Sequence, residues 1–262
     1  MRPVLIDTAS LPGESGSLGL YRDGEDFVIR IEGGTNVPLM STRMHGSEDA
    51  LGKLACERVA SRAHTRVLVG GLGMGFTLAA SLEALGPRAT VVVAELVPGV
   101  VEWNRGPLGE KSGMPLLDPR TEVRLVDVAK LIKSEPAGFD AIMLDVDNGP
   151  DGLTQRRNGW LYTPAGLQVA HEALRPAGVL AIWSAAADEA FAKRVAKAGF
   201  DVEEVQVYAH GKRGTRHTLW FGTKRSRAPG GAKAASPARA GAASPKATAA
   251  AAVPRGASRR SR

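Results

Sequence analysis

Cysteine is almost missing. Cys56 is the only one in 262 residues, so no internal disulfide can form, and a reducing cytoplasm is the expected location. The five histidines are scattered and lack the spacing of a metal site, so no metal is expected. No stretch approaches the roughly 18 consecutive apolar residues of a membrane helix. The opening MRPVLIDTASLPG lacks the long apolar core of a secretory signal. Against these absences stands a hydrophobic content of 44%, ample for one α/β domain core.

Acidic residues are missing from one region altogether. The chain carries a net charge of +7, with 34 Lys or Arg and 27 Asp or Glu. Nine of the basic residues lie in 225–262, which holds no acid, so the first 224 residues carry 25 basic and 27 acidic side chains, a net of −2. The 225–262 segment is rich in Ala, Pro, Gly and Ser and has no aromatic residue. It cannot bury enough apolar surface to offset its ordering entropy, and a disordered tail is expected. The simpler role for it is a solubilising extension; the alternative is an arm that grips nucleic-acid phosphates.

Residues 1–46 read as a small N-terminal β-domain. Leu18–Tyr21 and Phe27–Ile31 flank the Asp23-Gly24 turn, with a third run at Val37–Met40. From Ser47, a plausible N-cap, the pattern becomes helical through Leu51, Leu54, Ala55 and Val59. Strand and helix then alternate across 47–224. Strands are expected at Arg66–Val69, Thr90–Ala94, Glu122–Val126, Phe139–Leu144 and Val179–Trp183. Helices are expected at Phe76–Leu85, after Pro98, at Pro164–Leu174 and at Asp188–Ala198. A turn at Arg175–Gly178 precedes the fifth strand, and Val202–Val207 with Thr218–Gly222 closes the domain as a hairpin. This order predicts a Rossmann-like α/β fold of the class I methyltransferase type, a mostly parallel sheet with a terminal antiparallel hairpin.

Chemistry concentrates where strands end. Val67–Val69 runs into Gly70, Gly71, Gly73 and Gly75, whose G-x-G-x-G spacing suits a backbone that turns sharply under a nucleotide. Glu95 follows 20 residues beyond Gly75 at the end of the second strand, where a carboxylate can accept both ribose hydroxyls. Asp127 ends the third strand, near an adenine amino group, and Asp145 ends the fourth. Either aspartate alone reads somewhat better as a helix cap or a solvated loop acid than as a ligand-binding group. Together with the glycine turn they read as a pocket for an adenosyl sulfonium.

These residues resemble the spermidine synthases, the polyamine aminopropyltransferases. The likeness rests on Gly-Gly-Leu-Gly-Met-Gly at 70–75, Ala94-Glu95-Leu96, Asp118-Pro119-Arg120 before the third strand, and the run from Phe139 to Pro150. A β-domain ahead of the Rossmann-like core is similar too. The resemblance implies transfer of an aminopropyl group from decarboxylated S-adenosylmethionine to a small amine such as putrescine, with Asp145 as proton acceptor and Asp147 as a second candidate. It also implies Asn148 and Tyr162 beside the substrate. Trp160 and Tyr162 read equally as a wall of the site or as packing against the helix at Pro164. A homodimer is compatible with such a domain. The pattern departs from the family at Gly73, where an aspartate is usual, at Asn148, and after the fifth strand at Trp183-Ser184. Ser47-Glu48-Asp49 is a loose match to the family's N-terminal acidic motif. Two alternatives stay open: methyl transfer from intact S-adenosylmethionine, and a non-catalytic nucleotide-binding module with a nucleic-acid-binding tail.

Overall fold

A computed structural model of the chain describes residues 2–13, 16–34, 38–146, 158–210 and 213–225. Asp147, Asn148, Pro150 and nearly all of the basic segment lie outside the described residues.

The chain opens with β1 (Val4–Ser10), β2 (Ser17–Asp23), β3 (Asp26–Ile31) and the short β4 (Met40–Ser41), which form one antiparallel sheet in that order. The hairpin turns at Gly24 and Glu25, one residue beyond the expected Asp23-Gly24 pair, because Asp23 still pairs with Asp26 at the end of β2. The strand β1 was not anticipated, because its exposed Val4, Leu5 and Ile6 do not alternate with polar residues. The third run is shorter than expected; Val37 lies outside the described residues.

Next come α1 (Gly46–Glu57), β5 (Arg66–Gly70), α2 (Phe76–Ala84), β6 (Thr90–Glu95), α3 (Pro98–Arg105) and α4 (Pro107–Ser112). They are followed by β7 (Thr121–Leu125), α5 (Val128–Ser134), β8 (Phe139–Leu144), α6 (Pro164–Ala173) and β9 (Leu174–Ser184). Last are α7 (Glu189–Lys197), β10 (Phe200–His210) and β11 (Arg213–Lys224). The large sheet runs β10-β11-β9-β8-β5-β6-β7. Its five strands from β9 to β7 pair in parallel, and β11 and β10 are antiparallel. This is the Rossmann-like arrangement expected from the sequence.

The central strands are apolar on both faces, which is why they read as continuous hydrophobic runs. Val67, Val69, Val91, Val93, Ala141 and Met143 point to one side, with Leu51 and Leu78 from the helices and Leu20 and Ile29 from the first sheet. Leu68, Val92, Ile142 and Leu144 point to the other, with Leu131, Leu167 and Phe191 from α5, α6 and α7. On the first side α1 lies tight against α2. A Cβ at Gly52 would stand 2.4 Å from the Thr77 carbonyl oxygen, so only glycine permits this approach.

Two local expectations need correction. The residue at the cap of α1 is His45, not Ser47; the Ser47 hydroxyl lies inside the helix and donates to Glu48 Oε2 at 2.6 Å. The turn at Arg175–Gly178 is an irregularity within β9. Buried Asp140 holds it, accepting from Arg62 and Arg175 at 2.7 Å each and from the Arg66 N–H at 2.8 Å. Arg62 also donates to the carbonyls of Pro176 and Ala177, so the loop is drawn into the sheet.

Candidate active site

The strand order reverses between β5 and β8, and a doubly wound sheet opens a crevice at that point, beyond the carboxyl ends of its strands. The glycine turn lies there. Gly70 ends β5, Gly71 donates its N–H to the Ala94 carbonyl at 2.9 Å, and Gly75 caps α2 in a left-handed conformation. Gly71 has φ +89°, and a Cβ on it would stand 2.6 Å from the Asp145 carbonyl oxygen. The turn and the end of β8 therefore touch backbone to backbone. Gly73, at φ +51°, has its carbonyl held by Asn104 Nδ2 at 2.9 Å.

Glu95 fastens the turn to the end of β6. Its Oε2 accepts from the Leu72 N–H at 2.9 Å and its Oε1 from the Val97 N–H at 2.8 Å. The residue is 7% exposed; burial pushes its carboxyl upward in pKa, and the backbone N–H groups oppose that. The Leu96 and Gly73 N–H groups also point to it, so a ribose hydroxyl that Glu95 accepts shares the carboxylate with this backbone. Asp127 has a double position. Its Oδ1 caps α5 by accepting from the Ala129 N–H at 2.7 Å, while Oδ2 has no partner among the described residues. Glu95, Asp127, Gly71 and Gly73 line one cleft, closed on the far side by Leu39 and Met40 of the first sheet. The donor set, two carboxylates and glycine backbone between apolar walls, suits an adenosine.

Asp145 lines this cleft and also a second cavity beside it, shared with Glu48, Thr77, Phe76 and Trp183. Its Oδ2 accepts from Thr77 Oγ1 at 2.6 Å. Burial raises the pKa of Asp145. Glu48 is pushed up to about 7, chiefly by burial and then by the charge of Asp145. Two carboxyls thus face one small space, and each opposes the ionisation of the other. Beside them His45 stacks flat on Phe76, 4.0 Å between ring centres, with Nδ1 2.7 Å from Asp49. Hydrogen bonding to Asp49 raises the pKa of His45.

The expected residues therefore fall into groups. Gly70, Gly71, Gly73, Gly75, Glu95, Asp127 and Asp145 gather at one sheet edge. Tyr162 sits apart in the second core, 3% exposed, with its hydroxyl donating to the Val146 carbonyl at 3.1 Å and its ring edge-on to Phe191. Sequence reasoning gave Glu48 no role of its own. A signal existed: Glu48 shares the helical stripe of Leu51, Gly52 and Ala55, so an acid sits on the buried face of α1. Among the described residues no cluster of His, Cys, Asp or Glu could hold a metal ion. No helix among them is long and apolar enough to cross a membrane.

No family model matches the chain. Polyamine aminopropyltransferase 2 of Pseudomonas aeruginosa is 32% identical over 120 residues, which are 44% of this chain and 32% of that protein. The matched stretch is thus about a third of the curated relative. Among solved structures, spermidine synthase in complex with the transition-state analogue AdoDATO superposes with a TM-score of 0.65 at 17% identity, covering 84% of this chain and 72% of that one. Spermidine synthase from Thermotoga maritima gives 0.66 at 17% identity, covering 84% and 73%. A probable spermidine synthase from Corynebacterium glutamicum gives 0.57 at 19%, covering 85% and 81%. A stretch of 120 residues is thus similar in sequence to a polyamine aminopropyltransferase, and the fold is that of the spermidine synthases.

Proposed function

We propose that the protein transfers an aminopropyl group from decarboxylated S-adenosylmethionine to a small amine such as putrescine. The observation that carries this reading is the position of Asp145, which lines both the adenosine-type cleft and the cavity it shares with Glu48. In such a reaction Glu95 would accept the ribose hydroxyls and Asp127 Oδ2 the adenine amino group. The amine nitrogen attacks the carbon attached to the sulfonium. The C–S bond breaks, its electron pair stays on sulfur, and methylthioadenosine leaves. The nitrogen must first lose a proton, because an ammonium has no lone pair. Asp145 and Glu48 hold the cation and accept that proton, and sulfonium is a good enough leaving group that positioning and electrostatics suffice. The donor cleft measures about 120 Å³, below the roughly 300 Å³ at which ligand pockets begin. Binding therefore displaces the flexible Met40 that narrows it.

One observation favours a second reading, methyl transfer from intact S-adenosylmethionine. No side chain extends from Gly73, and what faces it is the Met40 thioether, 3.1 Å from the position of a Cβ. A donor ammonium tail finds no carboxylate at that point, and a donor carboxylate meets no repulsion. Incubation with decarboxylated S-adenosylmethionine and putrescine is the test, and released methylthioadenosine is the expected product. No release across a panel of amines, with tighter calorimetric binding of the intact donor, overturns aminopropyl transfer in favour of methyl transfer.

A further inference from the structure

Behind Glu48, two residues 170 positions apart in the chain meet. The Nδ1 atom of His217, on β11, lies 2.9 Å from Ser47 Oγ on α1. Ser47 Oγ in turn donates to Glu48 Oε2 at 2.6 Å. Ser47 is fully buried inside its helix, where a serine contributes nothing to helix stability, and it caps nothing. His217 is only half-buried and stands edge-on to Trp183, 4.7 Å between ring centres, and Trp183 itself lines the carboxylate cavity. The hydroxyl proton of Ser47 lies on Glu48, so with Glu48 ionised His217 is the donor to Ser47 Oγ. With Glu48 protonated every bond in the line reverses: Glu48 donates to Ser47 and Ser47 donates to His217 Nδ1. The row of groups runs unbroken from the cavity to a ring that reaches solvent.

We propose that Ser47 and His217 form a proton relay that drains the carboxylate pair of the proton taken from the incoming amine. The proposal rests on the amine-acceptor reading above. The ammonium gives its proton to the Asp145–Glu48 pair. Glu48 passes a proton to Ser47 Oγ as Ser47 passes its own to His217 Nδ1, and the imidazolium releases the Nε2 proton to water. Ser47 ends unchanged, Glu48 ends ionised, one proton has left the site, and the ring is left as the Nδ1–H tautomer, which must exchange that proton with water and return to Nε2–H before the next turnover. The groups facing Glu48 are Asp145 from the end of β8, Thr77 from α2, Asp49 on its own helix and His45 at the start of that helix, whose pKa the Glu48 charge raises. His217 is faced by Ser47 and Trp183, and burial lowers its pKa, so it gives up a proton readily. His217 and Ser47 are positioning and relay residues; neither touches the reacting atoms.

The test has two arms on the full chain. In the first, His217 is titrated by NMR in the wild type, in Glu48→Gln and in Ser47→Ala. His217 titrates below the pH at which Glu48 ionises, so the coupling shows as a second step in the His217 ring shifts near pH 7, when Glu48 ionises and the line of hydrogen bonds reverses. The expected result is that step in the wild type and its loss in Glu48→Gln and Ser47→Ala; a His217 ring that titrates in one step in all three overturns the relay. In the second arm, His217→Ala is expected to lower kcat for amine transfer about 10-fold or more, leave donor KM unchanged, and regain turnover with added imidazole. A loss that imidazole does not restore, or one confined to KM, overturns the relay. His217 coupling in a protein that transfers nothing to any amine would remove the amine reading alone. Amine transfer without coupling would remove the relay alone.

Discussion

Replacing Glu48 by Gln should make the protein more stable, by an amount that grows from about pH 4.5 and is complete above neutral pH. A carboxyl whose ordinary value is 4.5 is held at about 7 in the fold. Between those values the folded chain keeps a proton that the unfolded chain has released. Stability is therefore full below pH 4.5, falls as pH rises through the interval, and carries the whole penalty above 7. The interval corresponds to about 3 kcal/mol at 1.36 kcal/mol per pH unit. Because Glu48 titrates together with Asp145, part of that belongs to the pair, and a gain of about 1–3 kcal/mol is expected from the glutamine. The amide oxygen still accepts from Ser47, so the local hydrogen bond survives. For a domain of this size a gain of that order raises Tm by about 3 to 10 °C. Circular-dichroism melts at pH 5 and pH 8.5 supply the assay. Wild type and variant should melt together at pH 5 and separate at pH 8.5. Equal separation at both pH values, or a less stable variant at pH 8.5, would refute the claim that Glu48 is a strained acid facing another.

Four further outcomes follow from the same geometry. Glu95→Gln should weaken donor binding about 10- to 100-fold in calorimetry, since hydrogen bonds to a charged acceptor contribute about 1.5–3 kcal/mol; unchanged affinity would remove Glu95 from the ribose. Gly71→Ala should lose about 2 kcal/mol or more in urea melts together with all donor binding, because its Cβ would stand 2.6 Å from the Asp145 carbonyl at φ +89°. Asp140→Asn should lose about 3–5 kcal/mol, leaving Arg62 and Arg175 without their shared anion; a loss below about 1 kcal/mol would mean the bridges behave as surface pairs. Gly73→Asp should raise affinity for decarboxylated over intact S-adenosylmethionine about 10-fold, since aspartate tolerates the left-handed φ and Met40 can yield; no change in that ratio would show that the donor tail lies elsewhere.

The large sheet was legible because its signals are local. Runs such as Val67–Val69 and Val91–Val93 are apolar on both faces, and only a strand covered on both sides tolerates that. Gly70–Gly75, Glu95 and Asp145 each mark a strand end, and parallel strands bring their ends to one edge. The N-terminal sheet was half legible. Asp23-Gly24 announces its hairpin, whereas β1 exposes Val4, Leu5 and Ile6 along one edge, so its apolar run points to no buried face. Asp127 shows why a carboxylate at a strand end stays ambiguous in sequence. One oxygen caps α5 and the other lines the cleft, so the two readings that compete on paper hold together in one side chain.

The two halves of the site differ in legibility for a topological reason. The donor half is built from consecutive strand ends, so chain order and spacing carry it. The acceptor half draws Glu48 from α1, Asp145 from β8, Trp183 from β9 and His217 from β11, and no spacing relates those positions. What a sequence does record is a conflict with its own pattern: Ser47 and Glu48 sit where α1 turns inward, at positions that packing alone would give to apolar residues. Burying an acid and a hydroxyl is unfavourable unless other groups partner them; Glu48 takes the Ser47 hydroxyl, and Ser47 in turn meets His217, 170 residues away. The Gly52 contact that presses α1 onto α2 is what brings Glu48 over Thr77 and Asp145. The acceptor half therefore depends on one close helix crossing, and loosening it with Gly52→Ala would separate the carboxyls without touching either.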